Sequence, residues 1–241
     1  MEEKVKAIFA WSGGKDSAFA LNHVLEEGKY EIIYLLTTLN KDLKRVSMHG
    51  VKEELLDLQA QSIGIPLLKV WVSEGSYEEY ETQMENTLLK AKEEAIREVV
   101  FGDIFLEDLR EYREKNMAKI GMKASFPLWK KDTKKLIGDF IDKGFQTISC
   151  CVNDAFFSEK EVGELINNDF LDRLPIGVDP CGENGEYHTF CFDGPIFKKK
   201  IKFQVGEKVY KPLDEKYIED KPNATKGFWF VELDTILDKQ V

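Results

Sequence analysis

Apolar residues along this chain come in short blocks separated by polar segments with helical periodicity. Val5-Lys6-Ala7-Ile8-Phe9-Ala10 has the length of a strand, and Ala18, Leu21, Val24 and Leu25 after it recur at helical spacing. Residues 31–39 are almost continuously apolar and rich in β-formers, the pattern of a strand covered on both faces. Residues 40–50 read as a loop, and Val51, Leu55, Leu58 and Ser62 as one face of a helix. Residues 66–72 predict the next strand, 77–97 a long charged amphipathic helix, and 99–101 a short strand ending at Gly102-Asp103. Strands alternating with helices at this pace predict an α/β fold with a doubly wound parallel sheet, whose ligands lie beyond the carboxyl ends of the strands. Three loops leave those ends, 12–17, 40–50 and 102–109, and should converge on one crevice.

The texture changes in the second half. Ser125-Phe126-Pro127-Leu128-Trp129 contains a proline that should stop any helix. Residues 132–143 predict a helix, 145–152 a strand and 159–167 another helix. Beyond Arg173, short strands at 187–192, 200–205 and 227–233 are separated by turns instead of helices. This divides the chain into a first domain over 1–130 and a second, smaller α+β domain over 131–241.

The loop after the first strand carries Ser12-Gly13-Gly14-Lys15-Asp16-Ser17. A strand-to-helix turn exposes the first helical N–H groups, and the helix dipole adds partial positive charge there. The glycines let backbone approach an anion closely, the serines offer hydroxyls and Lys15 a cation. Such a turn suits phosphate, although its spacing is not that of a Walker A loop. In the second loop, Ser47-Met48-His49-Gly50 precedes a helix, so Ser47 and His49 face the same crevice. His49 either contacts a nucleotide there or caps that helix. In the third, Gly102-Asp103-Ile104 sets a carboxylate at the end of a buried strand. Asp103 either orients a Mg²⁺ ion or a substrate group, or caps the helix bearing Leu106, Leu109 and Tyr112. Arg110, Glu111 and Arg113 on that helix read as surface or ion-pair residues.

A second unusual stretch runs from Gly177 to Phe190. Its Asp179, Cys181, Glu183, Glu186 and His188 could supply acids, a base and a nucleophile. Alternatively it is a tight turn whose Asp and Asn bond their own backbone, with His188 packed on the exit strand.

Composition narrows the setting. The 241 residues suffice for one large domain or two modest ones. A net charge of −10 opposes general nucleic-acid affinity. Lys198-Lys199-Lys200 with Lys202 is the one dense basic run, a solvated edge or an RNA patch. No run approaches the ~18 consecutive apolar residues of a membrane span, and a cytoplasmic protein is expected. Four cysteines, Cys150, Cys151, Cys181 and Cys191, form no C-x-x-C pair and no zinc spacing, so reduced thiols are expected.

The Ser12–Ser17 stretch resembles the SGGxDS signature of the PP-loop ATP pyrophosphatases. Together with Ser47–Gly50, Gly102-Asp103-Ile104, Glu107-Asp108-Leu109-Arg110, Pro127-Leu128-Trp129, Asp179–Thr189 and Asp193-Gly194-Pro195, it resembles their diphthine–ammonia ligase subgroup. The resemblance implies a HUP-type ATP-binding sandwich over 1–130 and a smaller domain closing over the substrate. It implies ATP and Mg²⁺, adenylation of a carboxylate with release of pyrophosphate, and amidation by free ammonia, converting diphthine on elongation factor 2 to diphthamide. Carried onto this chain, Ser12, Gly13, Gly14 and Ser17 hold phosphates, with Ser47, His49 and Gly102 beside them. Lys15 and the metal neutralise the pyrophosphate, Asp16 or Asp103 positions the metal, and Glu183, Glu186 and His188 orient the acceptor or deprotonate ammonium. The competing readings are amidation of a small carboxylic acid, tRNA thiolation with Cys150 or Cys181 as sulfur carrier, and an ATP-sensing module without turnover. Neither a membrane nor a nucleic-acid partner is expected, and the oligomeric state stays open, a homo-oligomer included.

Overall fold

Strand β1 (Val5–Ala10) runs through the middle of the first sheet, and its side chains divide the core. A computed structural model describes residues 3–46, 49–73, 75–221 and 224–236. Parallel to β1 lie β2 (Tyr30–Asn40) on one side and β5 (Glu98–Val100) on the other; β4 (Leu67–Val72) extends the sheet beyond β2, and β6 (Lys123–Ser125) beyond β5. The order β4-β2-β1-β5-β6 reverses direction between β1 and β5, the point at which a doubly wound sheet opens a ligand crevice. A short β3 (Arg45–Val46) folds back antiparallel on the end of β2. The predicted loop 40–50 therefore contains a hairpin, started by Asn40, whose side-chain oxygen accepts from the N–H groups of Asp42 and Leu43.

Alternation along β1 sends Ile8 to one face and Ala7 and Phe9 to the other. Ile8 joins Leu36, Val70, Leu88, Val99 and Met117 beneath α3 (Tyr77–Glu93) and α4 (Glu107–Lys119). The opposite face packs on α1 (Lys15–Glu27) and α2 (Glu53–Ile63). Beyond these helices lies a second, antiparallel sheet of β7 (Gln146–Asn153), β8 (Tyr187–Asp193), β9 (Phe203–Pro212) and β10 (Gly227–Thr235), in the order β8-β7-β10-β9. One apolar cluster joins both layers, running from Phe9 and Leu35 to Phe140, Phe190 and Leu233. The α/β class with a mostly parallel sheet and a second, smaller sheet is the one the sequence predicts.

Some boundaries differ for local reasons. The helix predicted over 77–97 ends at Glu93, and Ala95 then adopts a left-handed conformation with φ of 65°. No helix forms over 159–167. Gly163 has φ of 87°, its N–H donates to Ser149 O, and Ser149 N–H donates to Glu164 O, so the segment runs beside β7. The helix that follows is α6 (Asn168–Asp172), capped by Asn167. The helix predicted over 132–143 is α5 (Thr133–Asp142), with the Asp132 carboxylate accepting from Lys135 N–H. The third strand of the second sheet lies at 203–212, not 200–205, because it is an exposed polar edge without a continuous apolar signal.

The layers meet at a buried glutamine. Gln59 on α2 has no solvent exposure; its Oε1 accepts from Trp11 Nε1 (2.9 Å), and its Nε2 donates to the carbonyls of Gly13 (3.0 Å) and Cys191 (2.5 Å). Gln59→Leu keeps the volume but deprives three buried polar groups, two in the turn after β1 and one on β8, of this partner. It is expected to lower unfolding free energy by about 2–4 kcal/mol, read as a lower urea midpoint at unchanged slope.

Candidate active site

The phosphate-type turn is held from below and from the side. Trp11 N–H donates to Leu36 O (2.8 Å), which fixes the exit of β1. Gly13 has φ of 80°, and a Cβ there would stand 2.7 Å from Leu56 Cδ2, so only glycine fits. Its carbonyl accepts from Gln59 Nε2 and from Cys191 N–H on β8 (2.8 Å). No side chain of the turn caps α1; instead Lys15 N–H donates to Thr189 Oγ1 at 2.9 Å, again from β8. Ser17 Oγ donates to Gly14 O (2.9 Å), and Ser12 Oγ lies 3.2 Å from Ser17 Oγ.

Lys15 is only 3% exposed, with Nζ 2.7 Å from both Asp16 carboxylate oxygens and 5.4 Å from the centre of the Tyr187 ring. Burial is the largest single influence and opposes its charge, but the Asp16 carboxylate, Tyr187 and Cys181 together outweigh it and hold the ammonium well above the ordinary lysine pKa. Lys15 is therefore a fixed cation at the start of α1.

His49 lies over the turn, 3.0 Å from where a Cβ on Gly14 would stand. Its Nδ1 is 3.2 Å from Thr189 O. A carbonyl only accepts, so that nitrogen carries the hydrogen and Nε2 keeps a lone pair. The ring stacks on His188 with centroids 4.6 Å apart. Burial lowers the His49 pKa to about 4, and burial with the neighbouring His49 pushes His188 well below its ordinary value. Both imidazoles are neutral at pH 7, and His188 Nε2 is buried without a hydrogen-bond partner among the described residues. His49 does not cap α2, whose cap position is Lys52. Ser47 lies outside the described residues.

Gly102 permits close approach of β5 to the turn, since a Cβ there would lie 3.3 Å from the backbone of Asp16 and Ser17. Asp103 sits next to it, with Oδ2 2.6 Å from Arg113 Nε, and Arg113 in turn lies 4.4 Å from the Phe101 ring centre. Asp103 does not cap α4, whose cap position is Leu106. Arg110 pairs with Glu114 at 2.7 Å and covers the Trp129 ring at 4.6 Å.

The acidic loop combines both of its sequence readings. Glu186, 1% exposed, is consumed inside it: Oε1 accepts from Asp179 N–H (2.9 Å) and Asn184 Nδ2 (3.1 Å), and Oε2 from Asn184 N–H (2.9 Å). Asp179 accepts from Thr133 Oγ1 (2.7 Å) and Cys181 N–H (2.8 Å). This self-bonded turn presents Glu183 and His188 to the cleft, while Glu186 faces away from it. The Glu183 carboxylate accepts from Ile104 N–H; burial first, and then the charge of Asp16, raise its pKa to about 7. The cleft has a volume of about 840 Å³ and brings together Lys15, Asp16, His49, Asp103, Glu183 and His188.

Among the described residues no three His, Cys, Asp or Glu side chains gather as a metal-binding group. Asp16 and Asp103 each already face a cation. All four cysteines are buried and free, and burial raises every thiol pKa, that of Cys151 to about 12. Thr189, Gln59 and Tyr187 build the site without having been singled out in the sequence, while Arg113, read as a surface or ion-pair residue, proves to be the ion-pair partner of Asp103. Gln59 had a signal, as an uncharged polar residue on the apolar face shared with Leu55, Leu56 and Ile63; Thr189 had one in its place within the second motif.

A buried lysine in a glycine turn at the reversal point of a parallel sheet, facing a carboxylate poised near neutrality, marks a nucleotide-activating α/β enzyme. The chain belongs to the diphthamide synthase family: the profile of the diphthamide synthase N-terminal domain matches residues 5–124 and that of the C-terminal domain residues 132–222. It is thereby a ligase of the diphthamide biosynthesis group. Three relatives named diphthine–ammonia ligase illustrate the likeness. The zebrafish (Danio rerio) protein is 29% identical over 225 residues, covering 82% of this chain and 86% of its own length. The rat (Rattus norvegicus) protein is 28% identical over 252 residues, covering 90% and 93%. The fission yeast (Schizosaccharomyces pombe) protein is 28% identical over 218 residues, covering 82% of this chain but only 36% of its own length, so the chain spans about a third of that relative.

The thiols offer a direct check of this geometry. A thiol-specific disulfide reagent at mildly alkaline pH is expected to label none of the four cysteines in the folded protein within minutes, and all four after denaturation.

Proposed function

We propose that this chain activates the carboxylate of diphthine on elongation factor 2 with ATP and amidates it with free ammonia. AMP and pyrophosphate leave and diphthamide forms. The observation that carries the reading is the bonding of the phosphate turn to β8. Lys15 N–H on Thr189 and Gly13 O on Cys191 N–H set the nucleotide side and the acidic loop on one rigid wall. A carboxylate is a poor electrophile because oxide is a poor leaving group, and adenylation replaces that leaving group by AMP.

In this reading the turn from Ser12 to Ser17 holds the phosphates, and Lys15 stabilises charge as pyrophosphate departs. Asp16 is the carboxylate at the turn that would hold a Mg²⁺ ion brought with ATP, and the ion would neutralise charge on the phosphates. Asp103, held by Arg113, shapes the wall beside Glu183. Glu183 takes the proton released when ammonia attacks the acyl carbon, which a carboxyl group with a pKa near 7 does well at neutral pH. His49 and His188, neutral and stacked, line the acceptor side, with His49 Nε2 as a hydrogen-bond acceptor. Glu186 positions the loop and does not touch substrate. Residues 1–130 form the ATP-binding domain and 131–241 the acceptor-side domain, and the protein works in the cytoplasm with its elongation factor. No helix among the described residues is long and apolar enough to cross a membrane. The sulfur-carrier reading is disfavoured by the burial and raised pKa of Cys150 and Cys181.

The central test measures pyrophosphate release from Mg²⁺-ATP and ammonium with and without diphthine-bearing elongation factor 2. Release is expected only with that protein, matched by AMP and amide. Lys15→Ala is expected to slow it by roughly 100-fold or more, and normal release by that variant would overturn the assignment.

Glu183 gives a pH signature. Amidation is expected to rise with pH through about 7 as the carboxyl ionises. Glu183→Gln should be slow throughout and lack that inflection. Linkage adds a second readout. The folded-state pKa is raised, so the protonated carboxyl contributes stability that is fully present below 4.5 and lost as pH rises through about 7. Thermal melts should therefore show Glu183→Gln gaining on the wild type on the alkaline side of 7, and no such gain below 4.5.

A further inference from the structure

The cleft extends past the phosphate turn into an arm between α3 and α4, and the arm has a chemistry of its own. Tyr80, Glu81 and Glu85 on α3 and Tyr112 on α4 line it, with Met84 between them. Tyr77 closes the rim, its ring centroid 6.5 Å from that of Tyr80 and 6.0 Å from that of Tyr112. Tyr112 Oη donates to Glu81 Oε1 at 3.3 Å, which ties one ring to a carboxylate. Two cations of α4 line the same cleft: Arg113, whose charge is answered by Asp103 at 2.6 Å, and the exposed Lys119 at the far end of the helix. Aromatic faces and carboxylates around a half-enclosed space are what a cation with an apolar surface requires: ring faces attract it, and the methyl-type surface needs no hydrogen bonds. A primary ammonium or a guanidinium would need acceptors aimed at its N–H groups, whereas a quaternary ammonium needs none.

We infer that this tyrosine–carboxylate arm binds the quaternary ammonium group of the acceptor. The inference rests on the proposed acceptor. In diphthine a trimethylammonium group and the carboxylate to be amidated share one carbon, so the site for the cation must adjoin the site for the carboxylate. The wall of the cleft meets that demand. Glu183 takes the Ile104 N–H and feels the charge of Asp103; Asp103 holds Arg113; and Tyr80 lies in the field of both. The arm thereby selects acceptors by a feature that takes no part in the bond changes. It would separate the trimethylated acceptor from other carboxylates that fit beside ATP.

The first experiment titrates tetramethylammonium into the full chain while tyrosine ring signals are followed by NMR. Saturable shifts at Tyr80 and Tyr112 are expected, with none from tert-butanol, a neutral molecule of similar size. Tyr80→Phe, which keeps the ring face, should hold the affinity within about twofold, and Tyr80→Leu should lower it about tenfold. In turnover Tyr80→Leu should raise the KM for the acceptor by a similar factor while the KM for ATP holds. Equal tetramethylammonium affinity in wild type and Tyr80→Leu overturns the inference, as does a rise in the KM for ATP in place of that for the acceptor. Ring-dependent cation binding without any amide formed on diphthine supports the cation site and overturns the proposed acceptor instead.

Discussion

The turn that would hold phosphate cannot satisfy its own backbone, and the rest of the structure follows from how that deficit is met. A helix start leaves N–H groups without partners, and a left-handed glycine turns its carbonyl away from the helix. Here the missing partners come from β8, in the other sheet, and from Gln59 beneath. Lys15 N–H finds Thr189 Oγ1, and Gly13 O takes Cys191 N–H and Gln59 Nε2. The two sheets are consequently not modules that merely touch. The second contributes atoms to the turn of the first, and the acidic loop leading into β8 is placed within the cleft by the same bonds.

Burial then sets the charges. Lys15 and Arg113 in the cleft wall are each held by a neighbouring carboxylate, while the two histidines stay neutral because no carboxylate offsets their burial. Glu183 is left between these extremes, half-buried, near Asp16 and raised to about 7. At the phosphate turn and the acidic loop the cleft therefore presents the Lys15 cation, two neutral imidazoles and one carboxyl that changes state near pH 7. That set suits adenylation followed by loss of a proton from the nitrogen nucleophile.

Much of this arrangement was legible along the chain. The periodicities gave the order of strands and helices through β5, apart from the two-residue β3, because those strands carry mostly apolar runs. The glycine turn and the acidic loop stood out because their residue types have few purely structural uses in such density. Other features were hidden in sequence. The partners of Glu186 are the backbone of its own loop and Asn184, so its burial follows from a turn geometry that spacing alone does not fix. Thr189 acts through a backbone N–H far away in sequence, and Arg113, read as a surface or ion-pair residue, is an ion-pair residue whose partner Asp103 spacing alone does not name. The absent helix over 159–167 shows the same limit. Its amphipathic pattern is real, but a left-handed Gly163 and pairing with β7 overrule it.

The docking of β8 has one more consequence, for solubility. β8 is an outer strand of its sheet, and the unpaired edge of such a strand is a template on which other chains can add. On β8 that edge is occupied: His49 Nδ1 meets Thr189 O, Gly13 O meets Cys191 N–H, and Gln59 Nε2 meets Cys191 O. The opposite border, β9, pairs with no further strand among the described residues and carries Glu207, Lys208, Lys211 and Pro212, residues that repel strand addition. The groups that shield β8 precede it in the chain and leave the ribosome first. The covering segments are thus already made when the adhesive edge is synthesised, and a separated second half would emerge with that edge bare.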